Sequence, residues 1–149
     1  MLLNSMCTLE PACCSPRTTA LEAAQLMRKR HTGDLVVVDD GDDKAAPVGI
    51  ITDRDIVLEV LGKGLDPAVT LVSTLIRSPV VIANDRDDTS HALELMRVHG
   101  VRRLPVVNHE GTLVGIITAD DLLRNLANDA GALVDIAARE QSREQRTRR

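Results

Sequence analysis

A chain of 149 residues with 44% apolar and 27% charged side chains is long enough to bury a real core and has the make-up of an ordinary globular domain. It holds no Phe, Tyr or Trp, which leaves the core to Val, Leu, Ile, Ala and Met and excludes the ring-stacking platforms of single-strand nucleic-acid binders. The formal net charge of −4 offers no general attraction for nucleic acid or an anionic membrane, and no apolar run reaches the length of a membrane span.

Met1 to Cys14 has neither a basic n-region nor a sustained apolar stretch, so a cytoplasmic protein is expected rather than a secreted one. Met6 is too large for the residue that precedes a lipoprotein cysteine such as Cys7. Cys7, Cys13 and Cys14 are odd in number and read as reduced, packed thiols; no C-x-x-C pattern or close His–Cys set points to zinc. Ala12-Cys13-Cys14 is a short strand, and Ser15 to Thr19 supplies turn and cap chemistry. From Ala20 to about Arg30 the apolar positions Leu21, Ala24 and Met27, with Ala23 and Leu26, have helical spacing, and His31-Thr32-Gly33 stops them. Leu35 to Val38 is a continuous run suited to a buried strand. Asp39 to Lys44 is a polar loop, Val48 to Ile51 a second strand, and Asp53 to about Leu61 a helix ended by Gly62-Lys63-Gly64.

The same order then returns. Val72 to Arg77 matches the opening segment, Val81-Ile82-Ala83 matches Ala12-Cys13-Cys14, Leu104 to Val107 matches Leu35 to Val38, and Val114 to Ile117 matches Val48 to Ile51. Met27 and Met96 are 69 apart, as are Leu35 and Leu104, whereas Gly49 and Gly115 are 66 apart. The difference falls in the acidic loop, where a change of length costs little. The chain therefore divides into a first repeat at 1–64, a linker at 65–70, a second repeat at 71–127 and a C-terminal helix or basic tail at 128–149. Each repeat reads β-α-β-β-α, with a parallel crossover and then a hairpin. A three-stranded sheet with helices on one face leaves the other face uncovered, so the expected fold is of the α/β (α+β) class, two pseudo-twofold related repeats packed through their sheets.

The two blocks Gly49-Ile50-Ile51-Thr52-Asp53-Arg54-Asp55 and Gly115-Ile116-Ile117-Thr118-Ala119-Asp120-Asp121 place Thr where a strand ends and Asp three residues later. Together with Val101-Arg102-Arg103-Leu104-Pro105-Val106-Val107, this doubled pattern closely resembles the CBS domain, named for cystathionine β-synthase. Two tandem copies make a CBS pair, or Bateman module. The resemblance covers about residues 3 to 127 and is similar to the small stand-alone CBS-pair proteins of bacteria. It implies an adenosine-containing ligand in clefts between the repeats and further pairing of the module into flat dimers.

What the resemblance implies for single residues stands beside a plainer account. Asp55 and Asp121 would accept hydrogen bonds from ribose hydroxyls, with Thr52 and Thr118 near ribose or phosphate. Adenine would lie among Ile51, Ile117 and Val101, its edge read by strand backbone near Cys14 or Ala83. Arg102 and Arg103, close to Pro105, occupy positions where the family often places phosphate-contacting cations, and Arg54 is a further basic residue beside Asp55. Free N–H groups and the positive end of a helix suit phosphate. Yet Thr-x-x-Asp equally reads as a capping box that needs no ligand, and Arg102 and Arg103 equally read as a solvated pair. Their counterparts in the first repeat are Gly33 and Asp34, with Val36 matching Pro105. A carboxylate at Asp34 would repel phosphate, so unequal clefts are expected unless one borrows Arg103 across the axis.

Other chemistry is not indicated. His31, His91, His99 and His109 are scattered, with His91 and His99 too far apart along one helix to chelate. Asp39–Asp43 lacks the alternating ligand pattern of an EF-hand, and no Ser or Cys has a triad-like setting. No enzyme, no metal and no required cofactor are expected. Val134, Ile136 and Ala137 continue a helix that packs on the module or on a partner subunit; beyond them the arginine-rich end is expected to fray in solvent, without nucleic-acid contact. The function expected is a homodimeric sensor of AMP, ADP, ATP or S-adenosylmethionine that acts on an unknown protein partner, away from membranes. The alternative is a ligand-free dimeric adaptor or scaffold.

Overall fold

The computed structural model describes residues 1–149 apart from Asp42, Asp43, Ser78 and Arg149. Its opening stretch makes a 3-10 turn at Leu3–Ser5 and a two-residue strand β1 (Thr8–Leu9) before strand β2 (Cys13–Cys14). Helix α1 (Ala20–Arg30) starts where Thr19 and Glu22 close a capping box, and it stops at His31 in the left-handed region, φ 53°. Strands β3 (Asp34–Val38) and β4 (Pro47–Thr52) form a hairpin, and α2 (Asp53–Ile56) runs on through a π turn at Val57–Leu61. After a second 3-10 turn at Val72–Thr74 come β5 (Ala83–Asn84), α3 (Thr89–His99), β6 (Arg103–Val107), β7 (Leu113–Thr118) and α4 (Ala119–Thr147).

The duplication read in the sequence is a duplication of structure. Strand β2 runs parallel to β3 and β5 parallel to β6, while β3–β4 and β6–β7 are antiparallel. Cys14 stands opposite Val37 as Ala83 stands opposite Val106, and both hairpins shift register at the same place, between Val37 and Val38 and between Val106 and Val107. Strand alternation sends Leu35, Val37 and Ile51 into one core with Ala20, Ala23 and Met27 of α1. Leu104, Val106 and Ile117 meet Ala92 and Met96 of α3 in the other. The intervening residues Val36, Pro105, Val107 and Ile116 belong to neither cluster and are buried too. They lie on the sheet faces turned away from the helices, where the repeats pack on each other. Each Val or Ile taken out of water there contributes about 1.5–3 kcal/mol. A backbone bond from the Leu113 N–H to the Ala45 carbonyl, 2.9 Å, also ties the halves.

The repeats exchange their opening segments. Leu3, with Met6 and Cys7, joins the core of the second repeat, and Val72, with Leu75 and Ile76, joins the core of the first. The Leu3 N–H donates to Asp87 O at 2.9 Å and, at the corresponding place, the Val72 N–H donates to Thr18 O at 2.8 Å. Isolated bridges Leu2–Asp88 and Thr19–Leu71 repeat the relation. Three strands per repeat were expected; the second sheet has four, because β1 adds to β7 with Thr8 opposite Ile116 and Leu9 opposite Gly115. Gly115 permits it: a Cβ there would meet Cys7 Sγ at 2.6 Å and Thr8 O at 2.8 Å. Gly49 is pressed in the same way by Ile76, 2.9 Å from where a Cβ would stand.

Helix α4 continues without a break to Thr147, and residues 126–148 are exposed along it. A run rich in Ala, Leu, Arg, Glu and Gln without proline favours this continuation.

Candidate functional site

At each strand-to-helix junction the threonine and aspartate close on one another. Thr52 Oγ1 accepts from the Asp55 N–H at 3.1 Å, and Asp55 Oδ2 accepts from the Thr52 N–H at 3.0 Å. Thr118 and Asp121 do the same at 3.1 and 2.9 Å. The capping boxes are therefore formed in both repeats, and each carboxylate spends one oxygen on its cap. Among the described residues Asp55 Oδ1 has no hydrogen-bond partner, whereas Asp121 Oδ1 lies 3.4 Å from Arg124 Nη1.

Asp55 opens onto a cleft between the repeats of about 180 Å³. Ile50 comes from β4, Arg77 and Val81 from the segment leading into β5, and Val101 and Arg103 from the start of β6. Apolar side chains thus make the walls, with two guanidinium groups and one carboxylate among them. Arg103 Nε donates to Asp34 Oδ2 at 2.5 Å, with only 20% of the Asp34 side chain exposed, so the cation is held across the boundary between the repeats.

The related hollow at Asp121, about 170 Å³, is lined by Met6, Arg124, Asn125 and Asn128. By the 69-residue offset, the counterparts of Arg77 and Arg103 are Thr8 and Asp34, and Thr8 is drawn into strand β1. Positive charge converges at Asp55 and not, in the same form, at Asp121. The two hollows therefore differ in lining and charge, and Arg103 of the second repeat reaches Asp34 of the first.

The remaining expected contacts scatter. Ile51 and Ile117 are fully buried in the two cores, so their side chains turn away from the clefts. Ile50, one residue earlier on the opposite strand face, lines the cleft instead. Pro105 is buried on the sheet-to-sheet face, Ala83 lies in the second core, and Cys14 packs against the first. Arg102 is exposed and faces Asp120 at 3.3 Å, and Arg54 is exposed on the first turn of α2. No sequence motif marks Arg77, although it is the one basic residue between the second 3-10 turn and β5. Burial pushes all three thiols above their ordinary value, Cys14 to about 11, and Cys13 Sγ donates to Pro11 O at 3.1 Å. The cysteines are free. Among the described residues no group of three or more His, Cys, Asp or Glu could hold a metal ion, and no helix is long and apolar enough to cross a membrane.

The CBS domain model matches residues 3–62 and 72–128. The chain belongs to the CBS-domain family. This CBS pair is 37% identical over 118 residues to hypoxic response protein 1 of Mycobacterium tuberculosis, covering 79% of this chain and 80% of that one. A solved structure of hypoxic response protein I, with two coordinated zinc ions, superposes with a TM-score of 0.73 at 31% identity over 83% of this chain and 98% of that chain. A CBS domain protein of Pyrobaculum aerophilum, complexed with AMP, gives a TM-score of 0.73 at 27% identity over 86% and 99% of the two chains. An uncharacterized protein of Methanopyrus kandleri is 37% identical over 110 residues, and this chain spans 55% of its length.

Proposed function

We propose that this CBS pair is a cytoplasmic, homodimeric regulatory module without catalytic activity, which binds an adenosine-containing ligand in the Asp55 cleft and alters a surface seen by a protein partner. AMP, ADP and ATP suit it better than S-adenosylmethionine, whose positive sulfonium would meet two arginines. The observation that carries the reading is the meeting, between apolar walls, of two guanidinium groups and one carboxylate whose Oδ1 has no hydrogen-bond partner among the described residues. Asp55 Oδ1 would accept a ribose hydroxyl, Ile50, Val81 and Val101 would flank the base, and Arg77 and Arg103 would take phosphate. The AMP complex of the Pyrobaculum protein supports the ligand class.

A cleft of about 180 Å³ is smaller than the ~300–1,000 Å³ of ordinary ligand pockets. Entry of a nucleotide then requires the halves to part, with Arg103 released from Asp34. A phosphate that draws Arg103 away favours the parted arrangement, and this differential affinity is what a sensor needs. The closed capping boxes and the small cleft favour the rival, a ligand-free dimeric adaptor. Dye-based melting with AMP, ADP, ATP, S-adenosylmethionine and NAD, followed by calorimetry, separates them. A nucleotide-dependent rise in melting temperature that disappears in Arg103→Ala is expected; no shift with any of the five leaves the adaptor.

A further inference from the structure

We propose that α4 of one copy lies antiparallel across α4 of a second copy, each overhanging arm filling the groove between α3 and α4 of the other. This deepens the homodimer part of the reading above by naming the surface and the orientation. Residues 129–147 of α4 run beyond the segment matched to the CBS domain, about 28 Å of helix at 1.5 Å per residue. Leu123, Leu126, Ala130, Leu133 and Ala137 recur at steps of three and four and form one stripe, with Val134 at its edge. Leu126, Leu133 and Val134 are 64, 68 and 69% exposed, more than a lone surface helix needs to show. Glu140 and Glu144 take the next positions, so the stripe ends at Ala137 and its midpoint is Ala130.

The surface that fits this arm is on the same chain. Leu93 and Met96 of α3 with Leu122, Leu123 and Leu126 of α4 line an open, largely apolar groove of about 620 Å³. The stripe runs out of that groove along α4. A twofold axis at Ala130 therefore lays each arm beside the other's groove and covers both at once, as a self-complementary interface requires. Ala130 and Gly131 are small and let the helix backbones approach at the crossing.

Charge selects the orientation. Residues 119–137 carry Asp120, Asp121, Asp129 and Asp135 against Arg124 alone, while residues 138–148 carry Arg139, Arg143, Arg146 and Arg148 against Glu140 and Glu144. Antiparallel helices set the basic end of one beside the acidic half of the other; parallel helices set like beside like.

Sedimentation of the full chain and of Leu133→Glu, joined with disulfide capture in Ala130→Cys and Ala137→Cys, tests the proposal. The parent should be a dimer at micromolar concentration, and Leu133→Glu should weaken dimerisation at least tenfold while its melting stays cooperative. Ala130→Cys should be captured as a covalent dimer under mild oxidation, and Ala137→Cys should not, because it faces the region of Leu123. A monomeric parent, a Leu133→Glu chain that dimerises as tightly as the parent, or capture of Ala137→Cys as readily as Ala130→Cys overturns it. Leu133 lines no part of the Asp55 cleft, so the nucleotide melting screen reports separately on ligand binding.

Discussion

Asp34 and Arg103 stand at corresponding positions of the two repeats, 69 residues apart, and their side chains meet in an ion pair with Nε to Oδ2 at 2.5 Å. Residues that are each other's counterparts and also touch must lie close to the pseudo-twofold axis. Two exact copies would bring like charges together there. Opposite charges at this one position turn a repulsion into a link between the halves.

Loss of that link should act in opposite directions on stability and on binding. Asp34→Ala leaves Arg103 without its carboxylate beside Arg77; the pair is half-buried, so stability measured by urea denaturation should fall by about 1–2 kcal/mol, between the values of exposed and of buried pairs. The same change frees Arg103 for phosphate and removes a carboxylate from its neighbourhood. Affinity for AMP or ADP measured by calorimetry should then rise about threefold to tenfold, equivalent to about 0.7–1.4 kcal/mol. A weaker or unchanged affinity would mean that Arg103 serves the fold alone.

The two strand glycines should differ when given a methyl group. Gly115→Ala drives its Cβ to 2.8 Å from the Thr8 carbonyl oxygen, a backbone atom pinned by the β1–β7 pairing. The nearest atoms to a Cβ at Gly49 are all of the Ile76 side chain, at 2.9–3.1 Å; the closest contact is longer than at Gly115 and no backbone oxygen is among them, although Ile76 Cβ can give way only with its own backbone. Gly115→Ala should cost about 1–3 kcal/mol and Gly49→Ala less, as read from denaturation midpoints.

His31 and Gly100 end equivalent helices, both in the left-handed region at φ 53° and φ 64°. Glycine adopts this conformation freely and histidine does not. His31→Gly should raise stability by about 0.5–1 kcal/mol, and Gly100→Ala should lower it by a similar amount. Calorimetric melting of the two variants checks both signs.

Burial holds the Cys14 thiol neutral to about 11 against an ordinary 9.0. The neutral form is the one the fold favours, so the contribution is intact below pH 9, and stability falls as pH rises from about 9 towards 11, where the unfolded chain ionises first. Denaturation midpoints at pH 7, 9 and 10.5 should decline more in the parent than in Cys14→Ser. Alkylation of native Cys14 at pH 8 should be slow, since about one thiol in a thousand is ionised there.

What the sequence determined by itself was the set of features whose causes lie within a few residues. Continuous apolar runs mark the strands of the two hairpins, apolar spacing of three and four marks α1, the return of the same order with Met96 in place of Met27 marks α3, and a threonine with an acid three positions later marks the start of α2 and α4. Counting these blocks twice was enough for the duplication and for the packing of sheet on sheet. Only the tertiary structure decided that Leu3 enters the second core and Val72 the first. Repeats of the same fold offer an opening segment two similar docking surfaces, and nothing local distinguishes its own half from the other. It decided as well that Ile50 rather than Ile51 faces the cleft, that Arg77 reaches it, and that Arg103 closes on Asp34. Those relations depend on how two sheets meet across an axis, a distance of many tens of residues along the chain, where local propensity has no reach.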